Sequence, residues 1–231
     1  MLIKVFVMGR PGCGKTTAVR HILEMVKQRG YETRRSKDYD LLYRWFLEDQ
    51  ERPDSHRFRK IEYEGFDVLD ISVFDEALKE LEKEVRQEIA AAEKPGMIVI
   101  EFARNNYRTA LCNFTSEFLK NAYFLFVDAD LHSCMWRIHQ RLADFPKPDC
   151  HFVSDWIMET YYKDGRDDWG YISDELWHQY GLPREAVKLY YNMGTVSQLL
   201  ECTTDFVNGI LEKEFSNIDE ENMLPDQIPC P

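Results

Sequence analysis

The sequence predicts a three-layer α/β/α protein in which helices cover both faces of a five-stranded parallel sheet. Two observations lead to this prediction. Short apolar runs typical of fully buried strands recur along the 231 residues, and segments with helical periodicity separate them. Parallel strands are buried on both faces and need crossover helices, so this alternation favours a parallel sheet over an antiparallel one.

The first elements are a strand, a glycine-rich turn and a helix. Residues 2–8 form an apolar, β-branched run, and residues 17–26 have apolar side chains at helical spacing. Gly30 is expected to end this helix, and residues 31–36 to form the second strand. A second helix is predicted over residues 40–48, because its apolar side chains share one face.

The middle of the chain again alternates predicted helices with predicted strands. The polar stretch 49–60 carries no predicted strand or helix. A helix is predicted over residues 75–94 and buried strands over residues 97–100 and 123–127. The last of these strands is followed by a helix that we expect to end near Phe145.

The chain closes with a fifth strand over residues 187–191 and a helix from Thr195 to about Glu214. The intervening aromatic-rich stretch has no single period and is interpreted as an inserted helical lid. The acidic, proline-containing end is expected to be flexible or laid on the surface. The predicted units are a core of residues 1–145 and 186–215, a lid of residues 146–185 and a tail of residues 216–231.

The composition argues against several classes of protein. Lys and Arg number 29 against 41 Asp and Glu, and the net charge of −12 is repelled by nucleic acids and anionic membranes. The six cysteines lack the spacing of a zinc site or a disulfide framework, and no apolar run suits a membrane span or an export signal. We expect a cytoplasmic protein that acts on a small molecule; the oligomeric state is not predicted.

One motif carries most of the functional information. Residues 9–16, GRPGCGKT, match G-x-x-x-x-G-K-[ST] between the first strand and the first helix. Backbone N–H groups of such a loop surround a phosphate at the positive end of the helix dipole, the lysine reaches the β- and γ-phosphates, and the threonine hydroxyl binds Mg²⁺. A simple strand-to-helix turn would not require the Lys-Thr pair. The expected nucleotide contacts are Gly9, Gly12, Cys13, Gly14, Lys15, Thr16 and Thr17.

With this motif, the chain resembles the P-loop kinases of small molecules, a group of P-loop NTPases that includes nucleoside and nucleotide kinases, polynucleotide 5′-kinases and zeta-toxin-type kinases. Four shorter matches extend the resemblance over about residues 2–211. The resemblance implies ATP with Mg²⁺ and phosphoryl transfer under a mobile lid.

The first short match, residues 36–40, resembles the N/S-x-D-D turn of polynucleotide and zeta-type kinases, whose first aspartate contacts the acceptor hydroxyl. Asp38 is therefore a candidate base that takes the proton of the acceptor. The alternative is that Ser36 or Asp38 caps the following helix. Tyr39 stands where the second aspartate is expected, which leaves the role of Asp40 open.

The second match, Glu101 and Arg104, resembles the E-x-x-R of zeta-type kinases and follows a buried strand. Glu101 would hold a Mg²⁺-bound water or the acceptor, and Arg104 would clamp an anionic acceptor. The alternative is an ion pair between the two on the surface. The neighbouring Gly and Pro of ordinary nucleoside monophosphate kinases are missing.

The third match is Arg137 and Arg141, which share one helix face and are similar to the lid arginines of small-molecule kinases. A solvated, salt-bridged helix face is the alternative, and Arg166 is another candidate lid cation. The fourth match, residues 192–195, resembles the N-x-G-[ST] turn that approaches the adenine. Asn192 and Gly194 are its candidate residues, and capping by the threonine of this turn is compatible with that role.

Two other features have both functional and structural interpretations. Cys13 lies at a helix N-terminus, which would lower the pKa of its thiol and favour oxidation, but side chains at this loop position vary widely and a structural role is favoured. A group of aromatic residues in the insert either stacks on the acceptor or packs the core of the lid, and packing is favoured. These aromatic residues are Trp156, Tyr161, Tyr162, Trp169 and Tyr171.

These observations favour an ATP- and Mg²⁺-dependent kinase whose acceptor is a nucleoside, nucleotide or sugar-like metabolite. The alternative is a nucleotide-binding switch or regulatory ATPase, but the chain lacks N-K-x-D and a plain Walker B D-E, to which residues 128–130 come nearest. A nucleic-acid end kinase would suit Asp38 but conflicts with the net charge. The candidate catalytic residues are Lys15, Asp38, Glu101, Arg104, Arg137 and Arg141, with Thr16 and Glu101 as metal ligands.

Overall fold

A computed structural model describes residues 1–52, 54–142, 151–163 and 168–222, with side chains as far as residue 215. The strands are β1 (Leu2–Met8), β2 (Glu32–Lys37), β3 (Phe58–Lys60), β4 (Phe66–Val68), β5 (Gly96–Phe102), β6 (Ala122–Asp128) and β7 (Val187–Tyr191). The helices are α1 (Lys15–Gln28), α2 (Asp38–Gln50), α3 (Ser72–Ala90), α4 (Tyr107–Leu111), α5 (Ser116–Leu119), α6 (Leu131–Leu142), α7 (Asp155–Thr160), α8 (Asp168–Gly170), α9 (Leu176–Gln179) and α10 (Val196–Asn222). A π-helical turn, Tyr171–Glu175, joins α8 to α9, and a 3-10 turn, Arg184–Ala186, precedes β7.

The five main strands form one parallel sheet in the order β2-β5-β1-β6-β7. This confirms the predicted three-layer α/β/α fold with a five-stranded parallel sheet. The chain crosses from one side of β1 to the other between β5 and β6, and open α/β sheets bind ligands beyond the strand ends at such a crossover. The turn between β1 and α1 lies at this position.

The core is built around the middle strands, whose side chains are buried on both faces. Every residue of β5 and β6 is buried. Phe6 on β1 stacks on Phe124 of β6 at 5.0 Å between ring centroids and meets Phe114 edge to face at 5.4 Å. Buried aromatic pairs of this kind add to the stabilisation that comes from apolar burial, so the strand ends rest on a rigid base.

The structure differs from the sequence predictions at several elements. The stretch predicted to lack strands contains β3, which pairs with β4 in an antiparallel hairpin. The short helices α4 and α5 between β5 and β6 were also not predicted. Helix α10 continues to Asn222, beyond the predicted end near Glu214, because no Gly or Pro interrupts residues 215–222. The predicted end of α6 near Phe145 lies outside the described residues, as does the rest of the predicted tail from residue 223.

The aromatic side chains of the insert pack, as predicted, with one exception. Tyr162 and Tyr171 are buried in the main core, and Tyr161 stacks on Phe74 at 4.6 Å. The Trp169 indole is partly buried and packs on the same core. Trp156 is 41% exposed and lies under the guanidinium of an arginine of the hairpin.

The remaining predictions concern Arg166, membrane-spanning helices and the division of the chain into units. Arg166, the alternative lid cation, lies outside the described residues. Within the part of the chain that the structure describes, none of the helices combines the length and the hydrophobicity that a transmembrane span needs. The division into core, lid and tail stays a prediction.

Candidate active site

The loop between β1 and α1 has the shape of a phosphate cradle. Gly9, Gly12 and Gly14 all have positive φ angles, of 144°, 82° and 112°. A Cβ on Gly12 would lie 2.3 Å from the carbonyl oxygen of Cys134 on α6, so the loop can approach that helix only with glycine there. Gly14 occupies the N-cap position of α1 and supplies no side-chain acceptor, and a helix N-terminus of this kind can bind an anion.

Lys15 and Asn192 each donate a hydrogen bond to a carbonyl oxygen of this loop. The Lys15 ammonium donates a hydrogen bond to the carbonyl oxygen of Arg10 at 3.0 Å, which keeps the charge across the mouth of the cradle. Asn192, just after β7, donates from its side-chain amide to the carbonyl oxygen of Cys13 at 2.7 Å. Asn192 also accepts a hydrogen bond from Arg137 at 2.7 Å. Asn192 therefore contacts the loop directly, and Arg137 contacts Asn192.

The turn that contains Gly194 leads directly into α10. Gln198 donates its N–H to the Thr195 hydroxyl at 3.3 Å, and the Gln198 side chain accepts from the Thr195 N–H at 2.9 Å. These bonds agree with the predicted capping role of Thr195. An adenine contact by Asn192 or Gly194 stays a prediction.

Thr16 and Glu101 form an oxygen-rich corner beside Lys15. The Thr16 hydroxyl donates to Glu101 Oε1 at 3.3 Å, and Arg35 donates to Glu101 Oε2 at 2.6 Å. Mg²⁺ prefers oxygen ligands and usually binds through one or two protein groups together with substrate phosphates. The described residues contain no group of three or more His, Cys, Asp or Glu that would form an all-protein metal site. The Thr16–Glu101 corner therefore fits Mg²⁺ held jointly with a nucleotide.

Asp38 and Arg104 form a buried ion pair at the start of α2. Arg104 Nη1 donates to Asp38 Oδ2, and Arg104 Nη2 donates to the Phe74 carbonyl oxygen at 2.6 Å. The two residues are 7% and 3% exposed, respectively. Burial raises the pKa of Asp38 above its ordinary value, and the adjacent guanidinium opposes that shift.

This pairing corrects two of the alternatives drawn from the sequence. Lys37, not Ser36 or Asp38, occupies the N-cap position of α2, and no side chain caps that helix. The Ser36 hydroxyl instead donates to Glu88 on α3 at 2.6 Å. A surface ion pair between Glu101 and Arg104 is also wrong, because each pairs with a residue from β2 or α2 and both are buried.

One pocket joins these groups. It lies between the P-loop and α2 and reaches the insert. Lys15, Thr16, Asp38, Glu101 and Arg141 all line it, and Arg104 contacts Asp38. The other lining side chains of ionisable or aromatic type are Arg35, Lys37, Tyr39, Phe102, His151 and Tyr162. Of the predicted catalytic residues, Arg137 is the one that the structure places elsewhere, beside Asn192.

The structure argues against a reactive Cys13 thiol and agrees with the structural interpretation that the sequence favours. Cys13 is fully buried, and its side chain lies against Gly9 beneath the loop. Burial raises the pKa of this thiol, although the nearby Lys15 charge acts in the opposite direction. A thiol at a helix N-terminus becomes reactive only when it is also accessible, so Cys13 serves packing in this structure.

Tyr107 links the loop to the Asp38–Arg104 pair, a role that was not predicted from the sequence. Its buried hydroxyl accepts the N–H of Gly9 at 2.7 Å and the N–H of Arg104 at 3.2 Å. Its own backbone N–H donates to the buried carboxylate of Asp168 in the insert at 2.8 Å. No motif marks this residue, since its role depends on the meeting of β1, β5 and the insert.

Tyr107→Phe is expected to destabilise the fold. The phenyl ring preserves the packing, but two buried backbone N–H groups lose their acceptor, and each such loss costs about 1–3 kcal/mol. Tyr123→Phe is the matched control, because its hydroxyl contacts the partly exposed Glu214. Urea unfolding should show a clearly larger loss for Tyr107→Phe, and equal small losses would contradict the assigned role of the hydroxyl.

Comparison with known proteins gives one partial family match. Residues 5–100 match the model of the viral superfamily 1 RNA helicase core domain, which is less than half of the chain. The match includes the P-loop and reaches into β5. No curated protein matches the sequence.

Two solved structures resemble the chain over most of both lengths. A sugar kinase from Janibacter sp. HTCC2649 has a TM-score of 0.50 and 14% identity, covering 90% of this chain and 95% of its own. An APS kinase from Mycobacterium tuberculosis, in complex with AMPPNP and APS, has a TM-score of 0.51 and 11% identity, with coverages of 90% and 98%. The chain has the fold of the P-loop kinases. At such low identities the likeness establishes this P-loop kinase fold alone.

Proposed function

We propose that this chain is a kinase that transfers the γ-phosphate of ATP to a hydroxyl group of a small molecule. The acceptor belongs among nucleosides, nucleotides or sugar-like metabolites. The observation that carries the proposal is the position of Asp38. Its buried carboxylate lines the same pocket as Lys15 and Thr16, so a hydroxyl can lie between it and the phosphate cradle.

The P-loop side of the pocket binds and orients the phosphates. The N–H groups of the loop and the Lys15 ammonium hold the β- and γ-phosphates, and Thr16 and Glu101 supply oxygens for Mg²⁺. When bound, this ion neutralises charge on the phosphate oxygens. Arg141 lines the same pocket and is assigned to the transferred phosphoryl group.

Asp38 acts on the acceptor side. Its carboxylate accepts the hydrogen bond of the acceptor hydroxyl and takes the proton as the new O–P bond forms. The bond between the γ-phosphorus and the bridging oxygen breaks, and ADP leaves with the electron pair. A carboxylate whose pKa burial raises is a stronger base than an exposed one, and Arg104 fixes its orientation.

The insert completes the acceptor side in this proposal. Val153 and Tyr162 both line the pocket, opposite the P-loop. Asp168 holds the backbone of Tyr107, so the insert is also tied to the loop that binds phosphate. We assign residues 146–185 to acceptor binding on the strength of the described members of that segment.

A ligand screen tests the proposal. The melting temperature is measured with ATP and Mg²⁺, and then with nucleosides, nucleotides and sugars, since a ligand stabilises the fold in proportion to ln(1 + [L]/Kd). Phosphoryl transfer from labelled ATP is followed for each acceptor. We expect nucleotide binding and transfer to at least one acceptor. ATP hydrolysis that no acceptor changes would instead favour a regulatory ATPase.

A further inference from the structure

The acceptor pocket holds two cations that the phosphate cradle does not explain. Arg35 and Lys37 lie two residues apart on β2, so their side chains emerge on the same face of the sheet, and both line the pocket. Ser36 between them faces the other way and donates to Glu88 on α3. The β2 strand is at the edge of the sheet, two strands from the P-loop strand.

The charge of the pocket has the opposite sign to that of the protein. Its lining has four Lys or Arg side chains and two Asp or Glu side chains among the described residues, whereas the chain as a whole has a net charge of −12. The cationic residues are Lys15, Arg35, Lys37 and Arg141, and the acidic ones are Asp38 and Glu101. A cleft of one sign concentrates ligands of the other sign.

The ion pairs of the two β2 cations differ in their surroundings. Arg35 donates to Glu101 at 2.6 Å, and both side chains are largely buried. The Lys37 ammonium is 3.2 Å from Asp40, but Lys37 is 15% exposed whereas Asp40 is 62% exposed. Solvent screens the Asp40 carboxylate, so this ion pair offsets the Lys37 charge only in part.

We infer that the acceptor is an anionic alcohol: a metabolite that carries a phosphate or carboxylate group, bound by Lys37 and Arg35, besides the hydroxyl that receives the phosphoryl group. This inference rests on the proposed kinase function. It narrows the acceptor class, because neutral nucleosides and unmodified sugars lack the group that these cations bind.

The position of Asp38 separates the two groups of the acceptor. A carboxylate stabilises a neighbouring hydroxyl but repels a phosphate oxygen, so the atom that attacks ATP beside Asp38 is a hydroxyl oxygen. The anionic group lies instead toward β2. Leu42, Tyr39 and Tyr162 give the pocket apolar and aromatic walls against which the carbon skeleton packs.

An equilibrium measurement tests the anion site without turnover. The P-loop is first saturated with AMPPNP and Mg²⁺, and inorganic phosphate or acetate is then added while the melting temperature is followed. We expect phosphate, acetate or both to stabilise wild-type protein and Lys37→Met to abolish that effect. Lys83→Met is the control, since Lys83 is an exposed lysine that also has an acidic neighbour three residues away. Absence of any anion effect on nucleotide-loaded wild type would overturn the inference.

A kinetic comparison uses matched acceptors and full-length enzyme with ATP and Mg²⁺. The pairs are ribose and ribose 5-phosphate, adenosine and AMP, and glycerol and glycerate, the last of which tests a carboxylate. We expect transfer to the anionic member of at least one pair, with a kcat/KM at least about tenfold above that of its neutral partner. Lys37→Met should lower that kcat/KM about 10- to 100-fold and leave the KM for ATP unchanged.

The outcomes also distinguish a failure of the anionic acceptor from a failure of the kinase function. Faster phosphorylation of the neutral members, or an anion preference that survives Lys37→Met, would refute the anionic acceptor while leaving the kinase function standing. Failure of AMPPNP to stabilise the protein would refute the proposed function, and with it the inference. Equal losses in Lys37→Met and Lys83→Met would also overturn the assigned role of Lys37.

Discussion

Lys15→Ala is expected to abolish phosphoryl transfer and leave the fold intact. Lys15 is a P-loop cation that lines the pocket, and its ammonium donates a hydrogen bond to the Arg10 carbonyl oxygen of the same loop. Removing a group that stabilises transferred phosphate by several kcal/mol lowers the rate at least about a hundredfold. The measurement is kcat for the best acceptor, with the melting temperature followed in parallel.

Lys27→Ala on the same helix is the control for this experiment. Lys27 lies in the last turn of α1 and is exposed, so its removal should change neither the rate nor the fold. Nucleotide affinity should also fall in Lys15→Ala, because the proposed function places the same ammonium on the bound phosphates. Near-normal turnover in that variant would remove the P-loop from the reaction and end the kinase assignment at this site.

The sheet could be predicted because its strands are buried on both faces. β5 and β6 are apolar over nearly their whole length, and such runs have few alternatives in a soluble chain. The predicted bounds differ from the observed ones by at most two residues at each end. The β3–β4 hairpin could not be predicted, since its strands have three residues each and lie next to a charged stretch.

The hairpin is stabilised by packing that has no local signal. Phe58 of β3 and Phe66 of β4 contact Phe46 of α2, with ring centroids 6.1 and 5.0 Å apart. Asp67 of β4 accepts hydrogen bonds from Arg59 of β3 and from Ser154, which joins the hairpin to the insert. Such elements depend on partners distant in the chain, whereas strand and helix periodicity is local.

The sequence predicts which residues lie in the candidate site, but not which of them form ion pairs with each other. Carboxyl ends of parallel strands meet at one edge, which is why Glu101 and the P-loop were expected together. For Glu101 and Arg104, three residues apart, the sequence left an ion pair between them open as the alternative to separate roles in binding. Sheet register decides otherwise: β2 runs beside β5, with Lys37 opposite Glu101, and this places Arg35 within reach of that carboxylate. The register between two strands depends on tertiary contacts and cannot be read from a local sequence pattern.

Asp38→Asn is the second change with a large expected effect. The amide keeps the size of the side chain but cannot take a proton, and loss of a general base lowers kcat about 10²- to 10⁴-fold. The structure adds a stability cost, because Arg104 would remain buried without its carboxylate. The melting temperature is therefore expected to fall as well, and a drop in activity alone does not identify the base.

The pH dependence of kcat/KM separates catalysis from packing. A base works only when ionised, so activity falls as the pH drops through the pKa of Asp38. Since burial raises that pKa, this acidic limb should lie above the ordinary value for aspartate of about 3.9. Arg104→Gln removes the charge that opposes the shift, and the limb should move to still higher pH.

Arg104→Gln also tests whether Asp38 is the catalytic base. If Asp38 serves only as the buried ion-pair partner of Arg104, Arg104→Gln lowers the melting temperature and leaves the acidic limb where it was. If Asp38 is the base, the limb moves in Arg104→Gln and disappears in the residual activity of Asp38→Asn. An unmoved limb in a folded Arg104→Gln protein would transfer the role of base to Glu101, the other carboxylate that lines the pocket among the described residues.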